Sequence, residues 1–358
     1  MADDGAAAAV EDRIVMLKRP AAGDEDGAGT KRVRLETAAT LALVEHEGIE
    51  RTSTLLAPTM QLSGHEAPVY SVEFDPTGQS LASASFDRTI FLWNVFGECE
   101  NYNVLRGHKN AVLQLHWASD GQHIVSVSAD KTVAWWDAHA GVRKKTFKGH
   151  RGVVNGCAVS SGPSPALFSA SDDCTAQQWD PRARRSVQAF AHDFQQVTAV
   201  AASPDGVRLF TGGVDDIVRE WDVRRPNDVI LQLEGHMDTV TGLALNPAGT
   251  HVLSNAMDRT MREWDVRPFA SGDRCEKVFH GLQHGAEKNL LRCSWSPSGL
   301  MTAGGSSDRA VHIFDEPSAQ ELYFLPGHAG SVNDVVFHPS EPIIASCSSD
   351  KQIFLGEL

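Results

Sequence analysis

The sequence predicts an all-β fold, a seven-bladed β-propeller closed by an N-terminal strand, and three observations support this prediction. Two short motifs recur in phase along the chain, with a period of about 42 residues. Between the motifs, apolar and polar side chains alternate as they do in half-buried strands. The chain also ends one strand short of a complete last repeat. Four strands per repeat and seven repeats are typical of a propeller.

The first motif is a Gly-His pair or a close variant of it. Successive histidines of this motif are separated by 43, 42, 42, 44 and then 92 residues. The last interval equals two periods, so one repeat has lost its recognisable start. His284 is the best candidate for that start, and His280 is an alternative. The histidines of the clear motifs are His65, His108, His150, His192, His236 and His328.

The second motif combines a Ser or Thr, an Asp four residues later, and an aromatic residue six positions after the Asp. Five of the eight tryptophans occupy this aromatic position. Gly304 replaces the Ser in repeat six, and Gly356 replaces the aromatic in repeat seven. We therefore expect an interrupted network and lower rigidity in those two blades. The complete sets are Ser83, Asp87 and Trp93; Ser126, Asp130 and Trp136; Ser169, Asp173 and Trp179; Thr211, Asp215 and Trp221; and Ser254, Asp258 and Trp264.

The first repeat shows how the strands are assigned. Val69–Phe74 alternates with period two, and Asp75-Pro76-Thr77-Gly78 then forms a turn. A strand of small residues follows, then a second turn at Phe86-Asp87-Arg88, a third strand that ends at the tryptophan, and a fourth that leads into the next Gly-His. The four predicted strands are 69–74, 81–84, 89–93 and 101–105.

Ring closure follows from the phase of the repeat. Each Gly-His is preceded by the outer strand of the preceding blade, and the chain ends at Leu358 after the third strand of blade seven. Residues 54–62 precede the first Gly-His and have no other blade to complete. We therefore predict that this segment pairs with blade seven, which removes an exposed sheet edge.

Residues 1–52 differ in composition from the propeller, which we place at 53–358. Alanine, glycine and charged residues dominate this N-terminal tail, so we expect it to be disordered. Two basic clusters in the tail resemble a bipartite nuclear-import signal. The alternative is a solvated charge run that no receptor recognises. The import candidates are Lys18, Arg19, Lys31, Arg32 and Arg34.

Composition excludes several function classes. A net charge of −14 disfavours binding to phosphate backbones as the main role. No run approaches 18 apolar residues, so we expect no transmembrane helix. The six cysteines are scattered without metal-ligand spacing and are expected to be free thiols. No phosphate loop or zinc motif is present, so neither a cofactor nor a metal site is predicted.

Ser83, His65 and Asp87 are the residue types of a catalytic triad, yet the same set recurs in most repeats. Catalysis needs one exposed nucleophile beside an oxyanion hole, not a set of copies. We therefore expect buried structural hydrogen-bond networks, with no catalytic residue and no enzyme activity. The network residues are His65, Ser83, Asp87 and Trp93; His108, Ser126, Asp130 and Trp136; His150, Ser169, Asp173 and Trp179; and His236, Ser254, Asp258 and Trp264.

The Gly-His pairs, together with Trp-Asp pairs such as Trp136-Asp137 and Trp264-Asp265, resemble the WD-repeat family over the whole of 53–358. The segments 253–258, 264–270, 287–297 and 348–351 further resemble WD-repeat subunits of the spliceosomal U5 small nuclear ribonucleoprotein. The resemblance implies a non-catalytic scaffold that acts in the nucleus in pre-mRNA splicing. It implies protein partners in the U5 particle and the spliceosome, mainly indirect association with RNA, no membrane and no small-molecule substrate.

Residues 265–295 depart from the repeat and lengthen the connection between blades five and six. Extra loop residues on a rigid scaffold favour a binding site, and a tolerated insertion is the alternative. The pattern Trp-Asp-x-Arg also occurs in three successive blades and resembles that of substrate receptors of cullin-RING ubiquitin ligases, which is the alternative function. Loss of adaptor binding after alanine substitution of Arg224 and Arg267 would identify that alternative. The partner-binding candidates are Arg224, Arg267, Phe269 and Arg274.

Overall fold

The structure is a computed structural model that describes residues 17–18, 52–161, 165–192, 195–270 and 272–358. These residues form seven antiparallel sheets, six of four strands and one of five. The predicted seven-bladed all-β propeller is confirmed. No helix among the described residues has the length and apolar character needed to cross a membrane.

The strands are numbered in chain order, and each blade is counted from its innermost strand. Two strands, β1 (Leu17–Lys18) and β2 (Thr59–Leu62), precede the first complete blade. Blade one contains β3 (Val69–Phe74), β4 (Ser80–Ser85), β5 (Thr89–Asn94) and β6 (Asn101–Arg106). Blade two contains β7 (Val112–Trp117), β8 (His123–Ser128), β9 (Thr132–Asp137) and β10 (Val142–Lys148). Blade three contains β11 (Val154–Val159), β12 (Leu167–Ser171), β13 (Thr175–Trp179) and β14 (Gln188–Ala191).

The other four blades repeat this order. Blade four contains β15 (Val197–Ala202), β16 (Arg208–Gly213), β17 (Val218–Asp222) and β18 (Val229–Leu233). Blade five contains β19 (Val240–Leu245), β20 (His251–Ala256), β21 (Thr260–Asp265) and β22 (Cys275–His280). Blade six contains β23 (Cys293–Trp295), β24 (Met301–Gly305), β25 (Ala310–Asp315) and β26 (Glu321–Pro326). Blade seven contains β27 (Val332–Phe337), β28 (Ile343–Ser348) and β29 (Ile353–Glu357), and β2 is its outer strand.

The innermost strands line the axis of the ring. Each contacts the innermost strand of the next blade, and β27 contacts β3, so the ring is closed. Several of these strands are buried almost throughout, as in Val197–Ala202, because blades pack against both of their faces. Because both faces of these strands are buried, their sequences do not alternate strictly between apolar and polar residues.

The hydrophobic core is divided into seven layers, one between each pair of neighbouring blades. In the layer between blades seven and one, Val69 and Leu81 pack with Ile343 and Leu355, and all four are fully buried. Equivalent layers lie between the other pairs. A blade therefore buries its apolar side chains only against its neighbours, as units of repeat proteins do.

A left-handed residue follows the motif Asp in each blade, at the turn between the second and third strands. Arg88 has a φ of 71° and Lys351 one of 74°. This conformation, which L residues rarely adopt, completes a tight hairpin turn. The other members are Lys131, Cys174, Asp216, Arg259 and Arg309.

Paired glycines stand where any side chain would collide. A Cβ at Gly213 would lie 2.2 Å from the carbonyl oxygen of Gln196, and a Cβ at Gly305 would lie 2.4 Å from that of Val332. Both neighbours are backbone atoms that cannot move aside cheaply. Close packing against the neighbouring strand therefore requires glycine at both positions.

The predicted closure by an N-terminal strand is confirmed. Thr59–Leu62 runs antiparallel to Ile353–Glu357, with Thr59 opposite Gly356 and Leu62 opposite Ile353. Leu62 is 3% exposed and joins the core layer between blades seven and one. Upstream, the backbone N–H of Ser53 donates to the Glu357 carboxylate at 2.9 Å.

Most of the N-terminal tail lies outside the described residues, and so do the predicted disorder and the import candidates Arg19, Lys31, Arg32 and Arg34. Leu17–Lys18 is described as a two-residue strand antiparallel to β26. Leu17 lies opposite Phe324 and Lys18 opposite Tyr323.

Leu62→Ala tests whether the closing strand stabilises the propeller. We expect a loss of about 2 to 5 kcal/mol in the free energy of unfolding, because a buried leucine leaves a cavity when truncated. Leu56, six residues upstream, is 64% exposed and provides the matched control, Leu56→Ala.

Deletion of 53–63 should lower the melting temperature more than Leu62→Ala does, because the whole closing strand is removed. A thermal melt that the deletion leaves unchanged would contradict closure by this segment.

Candidate partner-binding faces of the propeller

The antiparallel blades give the ring two distinct ends. The turns between second and third strands and the connections between blades lie at one end, which we call the Gly-His face. The turns between first and second and between third and fourth strands lie at the other end, which we call the Trp-Asp face. Consecutive antiparallel strands require this division.

In blade one, the predicted network is assembled as expected. His65 Nδ1 lies 2.8 Å from Asp87 Oδ2, and His65 Nε2 lies 2.8 Å from Ser83 Oγ. The Trp93 indole N–H donates to the same serine hydroxyl at 2.9 Å. The other complete networks are His108, Ser126, Asp130 and Trp136; His150, Ser169, Asp173 and Trp179; and His236, Ser254, Asp258 and Trp264.

The aspartate of each network joins two loops of the Gly-His face. In blade two, Asp130 accepts the backbone N–H of Lys109 at 2.9 Å and that of Thr132 at 3.0 Å. Burial alone would raise the pKa of Asp130, but the hydrogen bonds from His108, Thr132 and Lys109 outweigh it and hold that pKa well below its ordinary value. The Ser126 side chain is fully buried. This geometry supports a structural role, because a nucleophile must be reached by substrate.

Blade four uses a different arrangement. Trp221 donates to Thr211 Oγ1 at 2.7 Å, as the motif predicts. Arg219 lies between the other two members, with its Nη1 3.3 Å from His192 Nδ1 and ion-paired to Asp215. A third-strand arginine thus bridges a histidine and an aspartate that meet directly in other blades.

Blade six replaces the motif histidine with another. His284, predicted to start this repeat, has no hydrogen-bond partner among the described residues at its buried Nε2, and burial lowers its pKa to about 4. His312 of β25 instead approaches Asp308 Oδ2 at 2.8 Å through Nε2 and Glu321 Oε1 at 3.1 Å through Nδ1. The network is interrupted at Gly304, as predicted, but His312 provides the missing imidazole from the third strand. His312 was not predicted from the sequence, although its position four residues after Asp308 was visible there.

In blade seven, the expectation that Gly356 interrupts the network is mostly wrong, because three of the four network groups are in place. His328 lies 3.0 Å from both Asp350 and Ser346, so the imidazole, carboxylate and hydroxyl are in place. Only the indole is missing. Beside these groups lies a cavity of about 40 Å³, lined by His328, Ser346 and Gly356 among others. The absent aromatic ring therefore leaves a small void and the polar network remains.

The irregular segment 265–295 does not form one loop. The outer strand β22 divides it, so residues 266–270 and 272–274 belong to the turn between the third and fourth strands of blade five, on the Trp-Asp face. Residues 281–292 form the connection to blade six on the Gly-His face. The predicted lengthening of the connection between blades five and six is confirmed, since residues 281–292 separate β22 from β23, whereas residues 107–111 suffice between blades one and two. The sequence did not reveal that the same segment also contains the fourth strand of blade five.

Phe269 is fully exposed on this turn of blade five and has a φ of 65°. Arg274 holds this turn, since its Nη1 donates to the carbonyl oxygens of Asp265 at 3.1 Å and Arg267 at 2.8 Å. The candidates Arg267, Phe269 and Arg274 are thus brought together. Arg274 acts inside the turn, whereas the Phe269 ring faces solvent. An aromatic ring displayed on a braced turn is a feature of interaction surfaces.

The arginines of the Trp-Asp-x-Arg pattern lie on the same face. Arg224 makes a two-point ion pair with Asp222, with both N–O distances 2.9 Å, and its side chain is 73% exposed. Arg267 pairs with Asp265 in the same way and is 53% exposed. The pairs fix the guanidinium planes and leave the remaining donors to solvent. Arg182, in the third occurrence, is also exposed.

Polar side chains link the turns of the Trp-Asp face from blade to blade. Asn103 of β6 donates to the carbonyl of Ala138 in blade two at 3.3 Å, and Lys145 of β10 to that of Pro181 in blade three at 2.6 Å. Gln188 of β14 reaches the carbonyl of Val223 in blade four, and Lys277 of β22 pairs with Glu316 in blade six. Four of the outer strands, β6, β10, β14 and β22, thus position the next blade's turn, a contact that the sequence motifs do not reveal.

The described cysteines are free thiols, as predicted. One group of potential metal ligands lies on the outside of blade five, where His251, Glu263 and Glu276 place their ligand atoms within 4.8 Å of one another. Lys277 Nζ lies 3.2 Å from Glu263, and Arg267 lies 3.6 Å from Glu276. Two cations already balance these carboxylates, so we interpret the group as an ion-pair cluster.

Comparison with known proteins agrees with this geometry. A profile of the family described as "WD domain, G-beta repeat" matches residues 56–94, 99–137, 141–180, 184–222, 227–265 and 319–355. The stretch left out of these matches contains most of blade six, where the motif serine is absent and His312 replaces the motif histidine.

Individual proteins match the chain almost from end to end. The "U5 small nuclear ribonucleoprotein 40 kDa protein" of Mus musculus is 50% identical over 352 residues, which is 96% of each of the two proteins. Its Homo sapiens counterpart is 50% identical over 94% of this chain and 92% of its own length. The "Pre-mRNA-splicing factor cwf17" of Schizosaccharomyces pombe is 43% identical over 92% of this chain and 95% of its own.

Asp130→Asn tests the structural role of the networks. We expect a loss of about 2 kcal/mol in the free energy of unfolding at neutral pH, because hydrogen bonds to a buried carboxylate are weakened. In the folded state the pKa of Asp130 is lowered, so its contribution is present above about pH 4, the ordinary value, and is lost as the pH falls below it. The variant should therefore lose less stability on acidification than the wild type.

Chemical denaturation from pH 7 to pH 3 measures both quantities. Asp228, which is exposed, provides the control Asp228→Asn. If the free energy of unfolding of the Asp130→Asn variant depended on pH as strongly as that of the wild type, the structural role assigned to Asp130 would be contradicted.

Proposed function

The chain belongs to the WD-repeat family, and on that premise we propose that it is a non-catalytic scaffold of the U5 small nuclear ribonucleoprotein, acting in pre-mRNA splicing. The observation that carries the proposal is the 50% identity to a U5 small nuclear ribonucleoprotein 40 kDa protein over 96% of both proteins. Fold alone would not support it, because propellers share their architecture without sharing a function.

The irregular blade strengthens this proposal. The general repeat profile leaves out most of blade six, yet a relative that matches 96% of this chain must align through most of that region. The departures from the repeat therefore belong to the stretch that is similar to the splicing proteins. We infer that they serve the function of that group, in preference to the tolerated insertion considered from sequence.

We place the main partner surface on the Trp-Asp face, around blades four and five. Phe269 is fully exposed there, and Arg224 and Arg267 present guanidinium groups oriented by their own aspartates. Exposed aromatic and arginine side chains on a preordered surface are the residue types that dominate protein interfaces. The partners would be protein components of the U5 particle and the spliceosome.

A non-catalytic role is supported by the networks. The hydroxyls of Ser83, Ser126 and Ser169 belong to fully buried side chains and are engaged by histidine and tryptophan. A nuclear location follows from the proposed splicing role and the basic clusters of the tail. Association with RNA would be mainly through protein, since the net charge of −14 opposes broad contact with phosphate.

The alternative of a ubiquitin-ligase receptor rests on the Trp-Asp-x-Arg pattern alone. Exposure of Arg224 and Arg267 is compatible with it, but the same exposure serves any partner on this face. The names of the relatives described above refer to splicing and to the U5 particle. We therefore retain the scaffold as the proposed function.

Purification of the tagged protein from nuclear extract at moderate salt tests the proposal. We expect co-purification of U5 RNA, identified by length and hybridisation, with the large U5 proteins identified by mass spectrometry. The Arg224→Ala, Arg267→Ala double variant should abolish adaptor binding if the ligase alternative holds. Recovery of a ligase adaptor without small nuclear RNA would overturn the scaffold proposal.

Phe269→Ala tests the assignment of the partner surface. Truncation of a central aromatic contact commonly costs more than 1.4 kcal/mol, so recovery of U5 proteins should fall about tenfold. Met237, which is 84% exposed on the Gly-His face, provides the control Met237→Ala. Both variants should melt like the wild type. Loss of U5 proteins with Met237→Ala but not with Phe269→Ala would place the interface on the opposite face.

A further inference from the structure

A cavity of about 500 Å³ lies on the propeller axis and is lined by residues of all seven innermost strands. Its walls include the ends of these strands and the turns that follow them, so its mouth opens on the Trp-Asp face. The volume is in the range of small-ligand and peptide pockets. Neither the repeat motifs nor the proposed function assigns a role to it.

Arg292 lies at the inner end of this cavity. The residue directly precedes β23 of blade six, and its guanidinium group reaches across the axis to the opposite side of the ring. There Nη2 donates to the carbonyl of Leu113 in blade two and to that of Asn155 in blade three, both at 3.1 Å. The residue is only 6% exposed.

The Arg292 guanidinium is incompletely partnered. Among the described residues, no carboxylate lies within ion-pair distance of it, and neither Nε nor Nη1 donates to an acceptor. Burial lowers its pKa from the ordinary arginine value, although an arginine stays charged at neutral pH. A buried cation without a counterion is costly, so a site that retains one is suited to an anionic group from outside.

The acidic groups of the cavity lie beyond ion-pair distance of Arg292 and are engaged by strand donors, although the charge of Asp334 still raises the pKa of Arg292 against the effect of burial. Glu73 accepts from His116 Nδ1 at 2.8 Å and from the Trp117 backbone N–H at 2.7 Å. Asp334 accepts the backbone N–H groups of Val72 at 3.2 Å and Val335 at 2.9 Å. Their negative charge would repel a phosphate dianion more strongly than a single carboxylate. The charge pattern therefore favours a monoanion.

The mouth of the cavity is suited to an extended peptide. Five turns, from blades one, four, five, six and seven, each place a proline at the rim, and Trp117 and Trp295 line the wall. Prolines lack a backbone N–H, so this rim is largely apolar and rigid. Below this rim the walls also carry polar side chains such as Gln114 and Asn246, and His116 is already paired with Glu73, which leaves Arg292 as the cation without an ion-pair partner. Such a lining suits a peptide that buries its backbone and one charged group. The rim prolines are Pro76, Pro204, Pro247, Pro297 and Pro339.

We propose that the axial cavity binds a carboxylate presented by an extended segment of a partner protein, which inserts from the Trp-Asp face and pairs with Arg292. The carboxylate belongs to an acidic residue of that segment or to the partner's C-terminus. The site does not depend on which assembly the protein joins, because the isolated propeller contains all of its residues.

Fluorine NMR on protein labelled with 5-fluorotryptophan tests the site directly. The signals of Trp117 and Trp295, assigned with Trp117→Phe and Trp295→Phe, report on the cavity wall. The probes are a capped tetrapeptide with a central glutamate, its glutamine counterpart, and a capped tetra-alanine with a free or an amidated C-terminus. We expect saturable shifts below about 10 mM for a carboxylate peptide and none for its neutral partner. A difference between the glutamate and glutamine peptides would identify a side-chain carboxylate as the ligand, and a difference between the free and amidated peptides would identify a C-terminal carboxylate.

Arg292→Gln should weaken that binding at least tenfold, because it removes the cation and keeps a polar side chain. Arg309→Gln, at an exposed position on the Gly-His face, is the matched control and should bind like the wild type. If Arg292→Gln does not fold, Ala202→Phe, which narrows the cavity without touching Arg292, should abolish the shifts.

Three results would overturn the proposal. The first is the absence of shifts at Trp117 and Trp295 with every peptide on folded protein. The second is equal binding by wild type and Arg292→Gln. The third is a stronger response to inorganic phosphate than to either carboxylate peptide, which would show that the cavity selects a different anion.

Discussion

The pairing of Thr59–Leu62 with Ile353–Glu357 is the contact on which the rest of the propeller depends. Each blade buries its apolar side chains only against its two neighbours, so an open ring would leave one core layer and one sheet edge exposed to water. A strand from the start of the propeller completes the blade formed by its end. Leu62 brings this closure into the core layer between blades seven and one, so the seven layers form one continuous ring.

Within the closed ring, the buried polar networks position the loops of the Gly-His face. Hydrogen bonds offset the free-energy cost of burying these polar groups, because the imidazole, carboxylate, hydroxyl and indole each have a partner. The irregular blades show which parts are replaceable. Arg219 bridges the network in blade four and His312 supplies an imidazole in blade six, whereas blade seven retains its network beside a small void. The requirement is a partner for the buried aspartate, not a particular sequence position.

Departures from the repeat carry the features that distinguish this chain from other propellers. The repeated groups are buried and build the scaffold, while Phe269, Arg224 and Arg292 occur at positions without a counterpart in every blade. Two of them lie on the Trp-Asp face, and Arg292 closes the inner end of a cavity that opens on the same face. A scaffold with several partners would thus concentrate its recognition at one end of the ring.

The sequence by itself determined the blade number, the strand order, the ring closure and the four complete networks, because these features repeat and a periodic signal survives local variation. It also indicated Arg224, Arg267 and Phe269 as surface residues. Only the tertiary structure divided 265–295 between two faces, brought His312 to Asp308, and carried Arg292 across the axis to Leu113 and Asn155. These contacts join residues that occur once, from blades far apart in sequence. No periodicity marks them, and their geometry exists only after the ring has closed.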